Sequence, residues 1–231
     1  MTHVQQLDGL VEATQRLVRT VDALSDDDLA APSVLPGWSR AHVVAHLTLN
    51  AEGLAQVLEG VVTGEDVPMY LSQEARDADI EELAAVDPAP LRERFLASTT
   101  AFQEAVYAVP EGGWAGDFRR MAAGSVIIPR IAIPGMRHRE VDIHHADLGA
   151  GYGPADWPED FLDEMFNRVV RDREDGPAAL LRTPDGDVPL ADGDGPVVTG
   201  SRADLTWWLL GRGGGAGLGA EPELPSLRSW R

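Results

Sequence analysis

The sequence contains no cysteine. Disulfide bonds and thiolate metal ligands are therefore excluded, and any reaction that needs a sulfur nucleophile must take its thiol from a separate molecule. Positive charge is also scarce, because Lys and Arg total 19 while Asp and Glu total 38, which leaves a net charge of −19. This balance argues against nucleic acid or an anionic membrane surface as a partner.

Long apolar runs are missing as well. No stretch approaches the roughly 18 consecutive apolar residues of a membrane-spanning helix. The amphipathic N-terminus, MTHVQQLDGLVEATQRL, has no continuous apolar segment of the signal-peptide type. These features predict a cytoplasmic protein, and 231 residues give room for one large domain or two small ones around a substantial core.

Helical periodicity dominates the first part of the chain. Apolar residues recur at helical spacing over about residues 4–24, 40–62 and 90–109, and a fourth long helix carries the stretch MRHREVDIHHADLGAGYG. Beyond residue 152 the pattern changes to a helix, short strands joined by Asp-Gly turns, and a last helix through ADLTWWLLGR. The sequence therefore predicts an α+β protein, with a four-helix bundle over residues 1–152 and a small α/β domain over residues 153–231.

A candidate metal site lies in MRHREVDIHHADLGAGYG, residues 136–153. Glu140 and His144 stand one helical turn apart, so both side chains can reach a single point. A carboxylate and an imidazole suit a divalent metal such as zinc, which in catalytic sites has three protein ligands and one open position. The third ligand must come from another helix, and His46 in WSRAHVVAHLTLN is the best candidate.

Two alternatives to this triad stay open. His42 precedes His46 by one turn and could form a ligand pair with it, although its place in the first turn of the helix favours a supporting role. The Glu140–His144 pair could also be an ordinary intrahelical ion pair without a metal.

Other polar residues around Glu140 and His144 receive no role in the site. His138 and His145 point to other faces of the helix. We interpret Asp142 and Asp147 as solvated or capping carboxylates. Arg137 is interpreted as a surface ion-pair partner, the usual position of arginine in an acidic protein.

Four segments resemble the mycothiol-dependent maleylpyruvate isomerases of the DinB/YfiT-like superfamily. They are LPGWSRAHVVAHLTLNAEGL, PMYLSQEARDADIEELA, HREVDIHHADLGAGYGPADWP and WWLLGR, and they span residues 35 to 212. The resemblance implies a DinB-like metal-binding four-helix bundle with a small C-terminal α/β domain, and its metal ligands fall on His46, Glu140 and His144. It also implies that Arg76 and Arg212 are catalytic residues that bind substrate carboxylates.

The activity implied by the resemblance is cis–trans isomerisation of maleylpyruvate to fumarylpyruvate in aromatic-acid (gentisate) degradation, with zinc and the low-molecular-weight thiol mycothiol as cofactors. A zinc ion with an open position can bind an external thiol as its thiolate, which supplies the nucleophile that a cysteine-free chain lacks. Two alternatives stay open: a mycothiol S-transferase of the same fold, and a non-enzymatic, metal-stabilised interaction module. The residues that contact the thiol are not identified by the sequence.

Overall fold

The structure is a computed structural model that describes residues 3–124, 126–228 and 230. The chain divides into two compact units, Met1–Ala150 and Gly151–Arg231, where the sequence predicts a division at residue 152. The first unit is mainly helical, and the second combines helices with a four-stranded sheet. The predicted α+β fold class is confirmed. Within the described residues, no helix has the length and apolar character needed to cross a membrane.

Four long helices form the bundle of the first unit. Its described helices are α1 (His3–Ala23), α2 (Asp26–Ala30), α3 (Arg40–Thr63), α4 (Gln73–Ala84), α5 (Pro88–Ala108) and α6 (Ile133–Asp147). Helix α3 packs against α5, α4 and α6, and α1 packs against α6 and α5. An antiparallel hairpin of β1 (Asp117–Arg119) and β2 (Ile127–Pro129) precedes α6.

Helix α3 lies in the centre of the bundle. Ser39 begins it with a capping box, in which the Ser39 side chain accepts from the backbone N–H of His42 and the Ser39 backbone donates to the His42 ring. Gly64 ends it in the left-handed conformation. Most residues between these caps are buried, and most of the buried ones are apolar, as expected of a helix in the core. His46 and Asn50, both buried, are thereby placed inside the bundle.

Two glycines allow the segment after α3 to fold back against the helix. A Cβ on Gly53 would lie 2.8 Å from the backbone oxygen of Met69, and a Cβ on Gly60 would lie equally close to the backbone that follows α3. A larger residue at either position would push this segment away from α3. On the side away from α3, the segment is held by backbone hydrogen bonds between Tyr70 and residues 120–122. These contacts bring Tyr70 and the start of α4 beside α3.

Helix α6 buries a polar face against α1. Asp142 Oδ1 lies 3.4 Å from Nη2 of Arg16, and the Nε2 atom of His138 lies 3.1 Å from Asp142 Oδ2. His145 Nε2 lies 2.7 Å from Oγ1 of Thr20. Asp142 has no exposed surface, so its interpretation as a solvated carboxylate is wrong. Arg16 of α1 and His138 of α6 pair with this carboxylate, which makes its burial tolerable.

The second unit is built on a mixed sheet. Its elements are α7 (Glu159–Arg171), β3 (Ala179–Thr183), β4 (Gly186–Leu190), β5 (Val197–Thr199), α8 (Arg202–Leu209) and β6 (Gly219–Glu221). The strand order is β4-β3-β5-β6, in which only the β3–β5 pair is parallel. The glycine-rich segment GRGGGAGLGAE, which follows α8, ends in β6. Pairing with β5 orders this end of the segment, although its sequence lacks strand-forming side chains.

Candidate metal centre

His46, Glu140 and His144 meet between α3 and α6. Nε2 of His46 lies 2.9 Å from Oε2 of Glu140 and 3.1 Å from Nε2 of His144. The same Glu140 oxygen lies 3.3 Å from Nε2 of His144. These three side chains form a group whose ligand atoms are close enough to share one metal ion. The structure therefore brings together all three ligands that the sequence predicts.

The spacing of these atoms is close to that of the ligands around a tetrahedral ion, but slightly tighter. Ligand atoms about 2.0–2.2 Å from zinc at tetrahedral angles are roughly 3.3–3.6 Å apart, and the observed separations of 2.9, 3.1 and 3.3 Å reach only the lower end of this range. Two imidazole nitrogens and one carboxylate oxygen are also a donor set of catalytic zinc sites, which keep a fourth position open. The donor set therefore fits a divalent metal of zinc's preferences, and a bound ion would require the ligand atoms to move slightly apart.

The site is closed behind His46 and open beside Glu140. The His46 side chain is 5% exposed, whereas the Glu140 side chain is 33% exposed. Trp38 contributes to the closure, because its ring centre lies 5.9 Å from that of His46. An external ligand would therefore reach the three ligand atoms from the Glu140 side.

Asp147 supports His144 from the opposite side of the ring. Its Oδ2 lies 2.8 Å from Nδ1 of His144, and the residue has no exposed surface. The carboxylate accepts the Nδ1 proton and so directs Nε2 towards Glu140, the arrangement commonly found behind metal-bound histidines. Asp147 is therefore not a solvated carboxylate, as the sequence interpretation allowed. Its position three residues after His144 is the sequence signal that could have identified it.

The two histidines of the triad have opposite pKa shifts in the absence of a metal ion. Burial, reinforced by His144, lowers the pKa of His46 to about 4. Burial also opposes a charge on His144, but hydrogen bonds with Asp147 and Glu140 outweigh it and raise the pKa to about 9. At Glu140, hydrogen bonds with both histidines outweigh burial and hold the carboxyl pKa well below its usual range. At neutral pH His46 is therefore neutral, His144 carries a proton on both nitrogens and Glu140 is ionised.

Arg76, on α4, contacts the far side of the His46 ring. Its Nη2 lies 3.0 Å from Nδ1 of His46, and its Nη1 donates to Asp77 at 2.9 Å. The guanidinium carbon lies 5.7 Å from the centre of the Tyr70 ring. The same arginine lines a cavity of about 330 Å³ between α3, α4, α5 and the segment before α4. The structure therefore places this sequence-predicted residue next to the triad.

Arg212 lies in the second unit, just after α8. Its Nη1 donates to the backbone oxygen of Leu210 at 2.8 Å, and its guanidinium carbon lies 5.9 Å from the centre of the Trp207 ring. These contacts hold the side chain close to the end of α8, and its catalytic role stays a prediction.

His42 and Asn50 lie one helical turn before and one turn after His46, and their partners differ. His42 contacts the Ser39 hydroxyl at 2.7 Å through Nδ1 and Glu81 at 3.3 Å through Nε2, so its contacts are at the start of α3 and not with the triad. Asn50 Oδ1 accepts from Nη1 of Arg137 at 2.8 Å. A second polar link between α3 and α6 therefore lies one turn below the triad.

Arg137 is a buried cation that the sequence interpretation missed. Only 1% of the residue is exposed, so its interpretation as a surface ion-pair partner is wrong. Its Nη1 also donates to the backbone oxygen of Leu47 at 2.8 Å, next to His46. Burial lowers its pKa to about 10, which still leaves it charged at neutral pH. Its position three residues before Glu140, on the same face of α6, is the signal that could have revealed it.

The chain is similar to proteins of one known family. Residues 10–149 match the family model of the mycothiol maleylpyruvate isomerase N-terminal domain. The chain is similar to a crystal structure of the mycothiol-dependent maleylpyruvate isomerase, with a TM-score of 0.90 and 27% identity over 100% of this chain and 98% of that chain. A crystal structure of a histidine-to-alanine mutant of a mycothiol-dependent maleylpyruvate isomerase matches with the same values. A comparison with curated protein sequences found no match.

Proposed function

Because the chain belongs to the family of the mycothiol maleylpyruvate isomerase N-terminal domain, we propose that it is a mycothiol-dependent isomerase that converts maleylpyruvate to fumarylpyruvate. The observation that carries this proposal is the convergence of His46, Glu140 and His144 on one point. Support also comes from the full-length similarity to a structure of an enzyme with that activity in its name.

The reaction requires the cis double bond of the substrate to become a single bond long enough for rotation. A zinc ion held by His46, Glu140 and His144, together with mycothiol, would supply a thiolate whose reversible addition to the double bond permits this rotation. The chain itself has no cysteine to serve as the nucleophile. The thiol is released again with the trans product, so the reaction does not consume it.

The residues of the first unit have distinct roles in this scheme. Asp147 orients His144, and the exposed side of Glu140 gives the substrate and the thiol access to the ligand atoms. Arg76 suits a substrate carboxylate, because a planar guanidinium can engage both carboxylate oxygens. Its positive charge would also stabilise negative charge that develops on the substrate. We assign a substrate carboxylate to Arg212 as well, on the basis of the family resemblance.

A thiol-dependent assay on the purified full-length protein tests the activity. The expected results are loss of maleylpyruvate absorbance with mycothiol, formation of fumarylpyruvate and a constant concentration of free thiol. Glutathione serves as the control thiol and should support little turnover. Consumption of thiol in proportion to product would identify an S-transferase and contradict the isomerase proposal.

A metal analysis tests the site separately. We expect about one zinc per chain, loss of turnover on treatment with a chelator and recovery on addition of zinc. Full turnover by chelator-treated protein with no detectable metal would contradict the proposed role of the triad.

A further inference from the structure

A cavity of about 330 Å³ lies on the face of α3 that carries His46. Three residues of this helix line it, Leu49, Gly53 and Gln56, and their spacing from His46 places all four residues on one helix face. Gln56 follows His46 by ten positions, so it lies about 15 Å further along the helix axis. At the end nearest the triad the cavity is lined by Arg76, whose Nη2 lies 3.0 Å from Nδ1 of His46. The cavity therefore extends from the triad along α3.

Tyr70 lines the same cavity and lies near the open side of the triad. The guanidinium carbon of Arg76 lies 5.7 Å from the centre of the Tyr70 ring. Burial raises the pKa of the Tyr70 hydroxyl, and the negative charge of Glu140 raises it further. The hydroxyl is therefore within electrostatic reach of Glu140, the ligand on the exposed side of the triad. A long molecule in the cavity can extend past Tyr70 towards the three ligand atoms.

The walls of the cavity are apolar inside and polar at the mouth. Met69 is buried, whereas Gln56 and Asp79 are exposed. Glu52 also lines the cavity, and it accepts two hydrogen bonds from Arg94 at 2.8 and 2.9 Å, which pairs these opposite charges. In the part of the chain that the structure describes, the side chains of Gln56 and Asp79 have no hydrogen-bond partner, so both are available to a ligand.

Charges of both signs at the mouth argue against a charged ligand. An anion would be repelled by Glu52 and Asp79, and a cation by Arg94. A neutral ligand with many hydroxyl groups meets neither penalty, because a hydroxyl can donate to a carboxylate and accept from a guanidinium or an amide. The ring carbons of such a ligand can pack against the apolar inner wall. The chemistry of the cavity therefore favours a polyhydroxylated ring compound.

We propose that this cavity binds the glucosamine–inositol part of mycothiol and thereby presents the cysteine part to the triad. Mycothiol consists of N-acetylcysteine joined through an amide bond to glucosamine, which carries inositol. Most of the molecule is therefore a neutral polyol, and its thiol is at one end. The inference rests on the proposed function, because it takes mycothiol as the thiol that the reaction uses.

Residues at the two ends of the cavity have different tasks. Gln56 and Asp79 bind hydroxyl groups at the mouth, and the cysteine part passes Tyr70 to reach the exposed side of Glu140. Binding of the rings at a distance from the sulfur fixes the position of the thiol, which favours its later reaction with a bound substrate. Glutathione carries two carboxylates and an ammonium group, which suit this mouth poorly. The cavity thus gives the site its preference for mycothiol.

NMR of isotope-labelled methionine methyl groups tests the cavity without turnover or bound metal. The probe is the thiol-free glucosamine–inositol compound with its amine acetylated, added to the full-length protein, and maltose is the control sugar. We expect the Met69 methyl signal, assigned with a Met69→Leu variant, to shift with the probe and not with maltose. Met165 is the internal reference, because it is fully buried in the second unit and cannot touch a ligand.

Asp79→Ala and Glu82→Ala form a matched pair for this titration. Both residues are exposed on α4 and both charges act on Arg94, but only Asp79 lines the cavity. We expect Asp79→Ala to weaken probe binding by roughly threefold to tenfold, the usual effect of a lost hydrogen bond, and Glu82→Ala to bind the probe like the unsubstituted protein. Equal probe binding by the two variants would overturn the inference.

The results distinguish this inference from the proposed function. If the protein isomerises maleylpyruvate with mycothiol but the probe leaves the Met69 signal unchanged, mycothiol binds elsewhere, and the inference is overturned while the function stands. If the probe shifts the Met69 signal but no thiol supports isomerisation, the cavity binds the polyol and the proposed function fails.

Kinetics with a shortened thiol give a second test. N-acetylcysteine lacks both rings, so the ratio of kcat/KM with mycothiol to kcat/KM with N-acetylcysteine measures what the rings contribute. We expect Asp79→Ala to lower this ratio by roughly threefold to tenfold through a higher KM for mycothiol, and Glu82→Ala to keep the ratio of the unsubstituted protein. An equal loss with both thiols in Asp79→Ala would contradict the inference, since damage to the triad does not depend on the rings.

Discussion

Oδ2 of Asp147 and Nδ1 of His144 lie 2.8 Å apart, and Asp147 is completely buried. A carboxylate in this position fixes the orientation of the ring and increases the basicity of its other nitrogen. Substitutions of such supporting residues typically weaken metal binding by about 10–100-fold.

We therefore expect Asp147→Asn to lower zinc affinity by about this factor while the side chain keeps its size. The affinity should be measured by chelator competition near pH 9, the pKa of His144 in the unsubstituted protein, so that proton competition contributes little. Circular dichroism provides the control for folding. Unchanged zinc affinity in a folded variant would show that Asp147 has no influence on the metal.

Zinc binding should depend strongly on pH. Asp147 and Glu140 raise the pKa of His144 to about 9 despite burial, so at pH 7 a metal ion must displace a proton from this ring. Fewer protons compete as the pH rises, and the apparent affinity should therefore increase by about tenfold per unit up to about pH 9 and then level off. His46, with a pKa of about 4, is already neutral in this range and adds no slope.

Calorimetry in buffers with different ionisation enthalpies measures this proton release. About one proton should leave per zinc bound at pH 7. A zinc affinity that does not change between pH 7 and pH 9, or binding without proton release, would contradict the assigned charge state of His144.

The three ligands can be tested against a histidine of the same helix. We expect His46→Ala and Glu140→Ala each to lose bound zinc, and turnover with it, while helical circular dichroism is largely retained. His42→Ala is the control, because His42 lies one turn away and contacts Ser39 and Glu81. It should keep its zinc and lose at most about 1 kcal/mol of stability through the weakened cap. Zinc retained by His46→Ala would rule out the ligand assignment.

The sequence could predict those parts of the site whose residues lie on one helix. Glu140 and His144 share one helix at four-residue spacing, so their common direction follows from the helical repeat alone. The contact between Arg76 and His46 joins two helices. It depends on the close return of the chain past Gly53 and Gly60, which no periodic pattern in the sequence describes.

The burial of charged residues could not be predicted from residue type. Asp142 and Arg137 have the residue types of a solvated face, but each finds a partner on a facing helix, Arg16 for one and Asn50 for the other. Such pairings are decided by tertiary packing and override the surface preference of the residue type. The three-residue strands β1, β2 and β6 escaped prediction because a strand this short has no alternation to detect. The equally short β5 was predicted because it follows the Asp-Gly turns of its segment.

Arg212 should affect catalysis without affecting the metal. If it binds a substrate carboxylate, Arg212→Ala should reduce kcat/KM by roughly ten- to hundredfold, the usual effect of losing a charged hydrogen bond. Zinc content should be unchanged, and Arg212→Lys should recover part of the loss.

Arg168→Ala is the control for loss of an arginine from the second unit, because Arg168 is a half-exposed residue of α7. Arg173 would not serve, because it is buried and its side chain donates to the backbone oxygen of Leu209 at the end of α8. Equal kinetics for Arg212→Ala and Arg168→Ala would remove Arg212 from the reaction.

Arg137 should stabilise the first unit and the geometry of the triad together. Arg137→Met deprives Asn50 and the Leu47 carbonyl of a charged donor, so we expect the free energy of unfolding of the metal-free protein to fall by about 2 kcal/mol in urea titrations. Because Leu47 adjoins His46, zinc affinity should fall as well. Leu91→Ala, a fully buried substitution on α5 that should cost about 2–5 kcal/mol, separates the two effects. A loss of zinc affinity in Leu91→Ala as large as that in Arg137→Met would show that Arg137 acts on the metal only through overall stability.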